Sequence, residues 1–245
     1  EGNEVRYDGG AIGNYGGAII ANNVTFRGNK AQTKGTDEGA IGGGAISLGI
    51  DAHTTITGST FENNTSGYNG GAIGTRKTLQ DSEVADAETR NSLVIKDSVF
   101  KGNQALGTSV DESDKLISSG NGGAIANTFA GVEISGTTFE GNSAANYGGA
   151  IFNMPYENKD FTDFYDLGGK MTLSDLTFTG NTAKFGGAIF NQGTLTFENG
   201  AQFTENKANG GAGGAIYNYG SINALDNATY PNLTFICITI SYYAK

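Results

Sequence analysis

The stretch Phe139-Glu140-Gly141-Asn142-Ser143-Ala144-Ala145-Asn146-Tyr147-Gly148-Gly149-Ala150-Ile151 holds, end to end, the two words from which the chain is built. The first is Phe-x-x-Asn with a small residue two positions on, and the second is Gly-Gly-Ala-Ile. The same pair recurs from Phe178 through Asn181 and Ala183 to Ile189. A word that returns with its partner at fixed spacing marks a repeat architecture, and a repeat decides the fold before any single segment is read.

Working outward, Phe-x-x-Asn occurs six times, at Phe26–Asn29, Phe61–Asn64, Phe100–Asn103, Phe139–Asn142, Phe178–Asn181 and Phe203–Asn206. Gly-Gly-Ala-Ile occurs eight times, with its alanine at Ala11, Ala18, Ala45, Ala72, Ala124, Ala150, Ala188 and Ala215, and Glu38-Gly39-Ala40-Ile41 is a degenerate ninth copy. From Ala18 onward the alanine-to-alanine steps are 27, 27, 52, 26, 38 and 27, so the module is 26 or 27 residues. The longer steps hold insertions, placed between Gly74 and Asn91, between Gln104 and Gly120, and between Asn153 and Met171. Insertions at fixed points of a repeat are loops on a stacked solenoid.

Between the two words lies an alternating apolar run, as at Val94-Ile95, Val132 to Ile134, Met171 to Leu173 and Leu195 to Phe197, bounded by Gly, Asn, Asp or Ser. Period-two runs between turn residues predict short strands, and no 3.6-residue apolar spacing is sustained, so helix is not expected. Three short strands per module predict an all-β parallel β-helix of about seven coils. Stacked coils place like residues over like at about 4.8 Å. Phe26, Phe61, Phe100, Phe139, Phe178 and Phe203 are then expected as a buried column. Asn29, Asn64, Asn103, Asn142, Asn181 and Asn206 are expected as an amide ladder at a turn. The glycine doublets are expected at a coil corner, where positive φ and a missing Cβ let turns approach, whereas Gly107, in an insertion, is expected to tolerate a side chain. Residues 1–245 read as one β-helix domain: an N-terminal edge over 1–8, coils over 9–220, and an irregular last coil or cap over 221–245.

Composition narrows the function. Forty glycines with only 2 prolines and no Gly-X-Y triplet exclude collagen, and 14 Phe with 11 Tyr exclude a disordered glycine-rich linker. The net charge of −10 repels a phosphate backbone, so no nucleic-acid partner is expected. Cys237, the one cysteine, cannot form an intramolecular disulfide and reads as a small buried hydrophobe.

Interleaved Gly-Gly-Ala-Ile and Phe-x-x-Asn over residues 9 to 216 resembles the repeats of the polymorphic outer membrane proteins of chlamydiae. The resemblance implies a right-handed β-helix, displayed on the bacterial surface as an autotransporter passenger and used in adhesion to host cells. It implies a host-cell surface protein or glycan as partner. It also implies an extracellular or outer-membrane location, with membrane attachment through a barrel or anchor absent from this sequence. On this reading the chain is a piece of a longer surface protein, and its coil edges could self-associate.

The family's fold also hosts polysaccharide lyases and glycoside hydrolases, which need convergent carboxylates, often with calcium. In the repeat positions the acids stand singly, as Glu62, Glu140, Asp175 and Glu205, which reads as solvated surface charge. His53, in Asp51-Ala52-His53-Thr54, reads as a turn residue, so no Ser-His or Cys-His catalysis is expected. The chain is read as a non-enzyme. An ice-binding solenoid is the remaining alternative, but its threonine column, Thr25, Thr60, Thr138 and Thr177, is broken by Val99 and Gln202. The candidate ligand-binding loop is the third insertion, where Tyr156, Phe161, Phe164 and Tyr165 lie among Asp160, Asp163 and Asp166. Loop aromatics favour partner binding. No cofactor is expected; calcium at Asp160, Asp163 and Asp166 is the alternative, without an EF-hand pattern to support it.

Overall fold

The computed structural model of the chain describes residues 1–33, 41–49, 52–75, 92–107, 119–128, 131–154, 169–224 and 234–235. Among these residues there is no helix, and the strands stack in parallel to form a β-helix. Along each coil the chain visits three sheets in turn. The first sheet takes a three-residue strand opening on the isoleucine of Gly-Gly-Ala-Ile, such as Ile125–Asn127, Ile151–Asn153 and Ile189–Asn191. The second and longest takes two consecutive strands, such as Gly131–Ser135 and Thr138–Glu140. The third takes the short strand after the asparagine, such as Ser143–Ala144. The first and third sheets each hold seven strands, which gives seven coils. The earlier modules therefore carry four short strands in three sheets rather than the expected three strands, because the alternating run and the Phe strand are successive parts of one face; in two later coils they merge into the single strands Lys170–Thr179 and Thr194–Thr204.

Register is set by identity of side chains. Ile73 pairs with Ile125, Ile125 with Ile151, Phe100 with Phe139, and Phe139 with Phe178. A one-residue slip would turn every one of these columns from core to solvent. The six phenylalanines stack with ring centroids 4.7, 4.6, 5.1, 4.9 and 4.8 Å apart and near-parallel planes. They form one core with the isoleucine and alanine columns of the first sheet and the inward apolar residues of the second. Burying one such ring contributes about 1.5–3 kcal/mol. The register continues to Phe203 opposite Phe235, so the last coil keeps the phenylalanine position within the 221–245 tail.

The asparagine ladder lies at the turn into the third sheet. Asn142 Oδ1 accepts the backbone N–H of Asn103 at 3.0 Å and its Nδ2 at 2.9 Å. In turn Asn142 Nδ2 donates to the Phe100 carbonyl at 2.9 Å and to Asn181 Oδ1 at 3.0 Å. This pattern runs from Asn29 to Asn206, and Asn3 extends it by one step through its donation to Asn29 Oδ1. Buried amides are thus satisfied by their copies on neighbouring coils, which is why one residue type recurs there.

Gly148 and Gly149 show why the doublet recurs, since the two glycines meet different demands. Gly148 has φ +66°, a left-handed turn that a side chain would strain. At Gly149 a Cβ would lie 2.0 Å from the carbonyl oxygen of Gly187 on the next coil, so the stack itself excludes a side chain.

Three expectations need correction. Gly16-Gly17-Ala18-Ile19 is not a corner: Gly17–Asn22 is a strand of the second sheet, with Ala18 opposite His53 and Ile19 opposite Thr54. The first corner is Gly9-Gly10-Ala11-Ile12, whose Ile12 pairs with Ile46. The word fits a strand there because nothing lies within 4 Å of the Cβ position of Gly17, so its glycine answers no packing demand. Gly107 is not permissive: its φ is +55° and a Cβ would meet the Ser119 backbone at 2.7 Å. His53 is no turn residue but stands on the outer face of the strand Ala52–Thr57, with Nδ1 3.0 Å from Ser92 Oγ on the next coil. The ninth Gly-Gly-Ala-Ile copy falls in residues 34–40, and Cys237 in the tail, both outside the described residues except Ile41.

Candidate ligand-binding surface

The loop residues singled out by sequence, Tyr156, Asp160, Phe161, Asp163, Phe164, Tyr165 and Asp166, lie outside the described residues. What the structure describes is the pair of roots from which that loop leaves the rod. On the near side Met154 N–H donates to the Asn127 carbonyl at 2.9 Å. On the far side the Gly169 carbonyl accepts from Asn153 Nδ2 at 2.6 Å and from Thr194 N–H at 2.9 Å. Both ends are therefore tied to the coils by bonds that do not involve the loop, and to each other through Asn153.

Asn153 can do this because it belongs to a second amide ladder. Asn127 Nδ2 donates to Asn153 Oδ1 at 3.0 Å, Asn153 to Asn191 at 2.8 Å, and Asn191 to Asn218 at 2.7 Å. Thr75 Oγ1, in the same column, donates to Asn127 Oδ1 at 2.9 Å. Sequence reading stopped at Gly-Gly-Ala-Ile and missed this column, although an asparagine two residues beyond the isoleucine recurs at Asn14, Asn127, Asn153, Asn191 and Asn218.

The segment 76–91 leaves at the same corner, after the strand Ile73–Thr75, and 155–168 leaves after Ile151–Asn153. One coil, that of Ile125–Asn127, stands between them, so the two roots are about 10 Å apart along the axis. The segment 108–118 leaves from a different corner, after the third-sheet strand Gln104–Ala105. Two of the three insertions thus share one flank of the rod.

The repeat acids have defined places as well. Arg27 Nε bonds Glu62 at 2.7 Å and Lys101 Nζ bonds Glu140 at 2.9 Å, on outward positions that are neighbours in the ladder. The column Glu1, Arg27, Glu62, Lys101, Glu140 alternates in sign, and the hydrogen bonds that Arg27 and Lys101 donate to Glu62 and Glu140 raise the two cations above their ordinary pKa values. Asp175 and Glu205 take left-handed turns at φ +54° and +55°. None of these carboxylates converges on another, and no group of three metal-ligating side chains occurs among the described residues.

A second, external apolar cluster was not foreseen. Phe152, Phe190 and Tyr217 share a ladder on the outer side of the first sheet and pack with Tyr147, Met154 and Phe185. In earlier coils the same ladder holds Gly13, Ser47, Gly74 and Ala126. The signal was the residue after each Gly-Gly-Ala-Ile, which turns aromatic only from Phe152 onward.

Against known proteins, five segments match the family model described as the Chlamydia polymorphic membrane protein repeat: residues 23–49, 58–76, 97–128, 136–154 and 175–192. All five begin near the bend of the second sheet and run through Phe-x-x-Asn to the first-sheet strand that follows. No curated protein and no solved structure matches the chain.

Proposed function

We propose that this chain, built on the repeat of the Chlamydia polymorphic membrane protein family, is part of a surface-displayed passenger whose β-helical rod presents loops for adhesion to a host-cell protein or glycan. The observation that carries the reading is the rooting of the third insertion. Both of its ends are fixed by coil-to-coil bonds, so the rod is complete without it, and a segment that folding does not require is free to serve recognition. The sharing of one flank by the segments 76–91 and 155–168 supports a single composite face.

The proposed role is binding rather than catalysis. It is supported by the alternation of Glu62 and Glu140 with Arg27 and Lys101, which engages two of the four regular acids in ion pairs across coils. Deleting residues 156–167 and joining the ends with a short Gly-Ser link tests the reading. The far-ultraviolet β signal and cooperative melting should persist, while beads coated with the variant should attach to epithelial cells less than beads coated with the parent. Equal attachment by both would move the adhesive surface to the coils, and no attachment by the parent would remove adhesion by this chain.

A further inference from the structure

The outer face of the third sheet is charged against the sign of the chain. Among the described residues its strands and the position next to the first of them carry Arg6, Lys30, Lys184 and Lys207 against Glu4, in a chain of net charge −10. Lys30 is already engaged by Glu4 at 3.3 Å. Lys184 and Lys207 are exposed, and neither is within ion-pair distance of a carboxylate among the described residues. Thr182 pairs with Lys207, so the two lysines sit one coil and two residues apart, about 8 Å between Cα atoms.

The same coils carry the external rings. Lys184 Nζ lies 5.6 Å from the centre of the Phe185 ring, which stacks on Tyr217 at 5.7 Å, and Tyr217 leads to Tyr219 at 4.9 Å. Tyr219 is 53% exposed, and its hydroxyl bonds that of Tyr217 at 2.6 Å. Stacking of coils does not require a ring at the Tyr217 position, since Gly13, Ser47, Gly74 and Ala126 fill the same ladder in the first four coils. The run of rings from Phe185, beneath Lys184, through Tyr217 to the exposed Tyr219, with Lys207 on the neighbouring coil, forms a surface with both apolar faces and positive charge.

We propose that this surface, independent of the insertion loops, binds an acidic polysaccharide. The C–H face of a pyranose packs on Tyr219, its hydroxyls bond the tyrosine oxygens, and its carboxylate or sulfate groups meet Lys184 and Lys207. An acidic peptide added as a strand could pair only along Lys207–Ala212, the terminal third-sheet strand on this flank, and would leave the Tyr217 and Tyr219 rings of the first-sheet side without a partner. A nucleic acid is opposed by the net charge of −10, which repels a phosphate backbone.

The test is retention of the chain on immobilised heparin, polygalacturonate, neutral dextran, polyglutamate and oligo-dT at low salt. Retention is expected on heparin, polygalacturonate or both, which separates sulfate from carboxylate recognition, and not on dextran. Lys184→Gln with Lys207→Gln should weaken it by about fivefold per lysine, and Tyr219→Ala should weaken it further. Lys96→Gln, on the second sheet, should leave it unchanged, and the 156–167 deletion should be retained like the parent, whatever that deletion does to cell attachment. Absence of retention on both polysaccharides, full retention of the double lysine variant with an unaltered melting curve, or equal retention on polyglutamate or oligo-dT would each overturn the proposal.

Discussion

Replacing Asn142 by Asp changes almost no volume and one chemical property, which makes it a sharp probe of the ladder. Asn142 is fully buried, so no water can compensate. Its Oδ1 accepts from Asn103 N–H and Nδ2, and a carboxylate oxygen can still do so. The other atom is the problem: where Nδ2 now donates to the Phe100 carbonyl at 2.9 Å and to Asn181 Oδ1 at 3.0 Å, an aspartate puts a third acceptor. Two bonds of about 1 kcal/mol each are lost and the carboxylate oxygen is left facing the Phe100 carbonyl without a donor at about 1 kcal/mol or more, while Asn181 Oδ1 keeps the backbone N–H of position 142 at 3.0 Å, so the expected loss at neutral pH is about 3 kcal/mol. Burial and the facing oxygens raise the carboxyl pKa in the folded state above its unfolded value near 3.9. The folded state then holds a proton that the unfolded state releases, so the penalty grows as pH rises above about 4 and shrinks below it, where the protonated acid can again donate. Denaturant unfolding followed by far-ultraviolet circular dichroism, against the parent at each pH, measures this. A loss under about 1 kcal/mol at pH 7, or a loss that does not change with pH, would show that the ladder's donors and acceptors are misassigned.

The core and the corners make further predictions. Phe139, fully buried between rings 5.1 and 4.9 Å away, should cost about 3–5 kcal/mol on Phe139→Ala in the same unfolding assay. Gly149→Ala should cost more than about 4 kcal/mol because its Cβ meets the Gly187 carbonyl at 2.0 Å, whereas Gly131→Ala, with nothing within 4 Å, should stay within about 0.5 kcal/mol of the parent. Thr54→Val should stabilise by about 1 kcal/mol, since Thr54 faces the core in a ladder continued by Leu93 and its buried hydroxyl has no partner.

The parts of the fold that were legible in sequence are those where stacking forces like onto like. Phenylalanine recurs because a column of rings must continue through every coil, asparagine because its amide is satisfied only by another at the same place, and the second glycine of the doublets from Gly10 to Gly187 at the corners because a carbonyl of the next coil occupies its Cβ position. Where a position is constrained by one coil alone, the words mislead. Gly16-Gly17-Ala18-Ile19 copies the corner word in a strand at the exposed edge, where nothing presses on Gly17. His53 looked like a turn because its neighbours are small and polar, but pairing with Ala18 and Ser92 makes it strand. The second asparagine ladder was readable and overlooked, since Leu48 and Thr75 interrupt it. The lysine and ring surface could not be read linearly, because Lys184 and Lys207, and Phe185 and Tyr217, meet only through the coil.

The central claim is that each repeat is one coil, stacked in register on the last, and a distance across several coils tests it most directly. Thr25, Thr60, Val99, Thr138, Thr177 and Gln202 are successive outward positions of one ladder. With Cys237 changed to Ser, spin labels at Thr25→Cys and Gln202→Cys should give a narrow distribution centred near five strand spacings, about 24 Å between backbones. A broad distribution, or a peak far from that separation, would contradict the stacking of one repeat per coil.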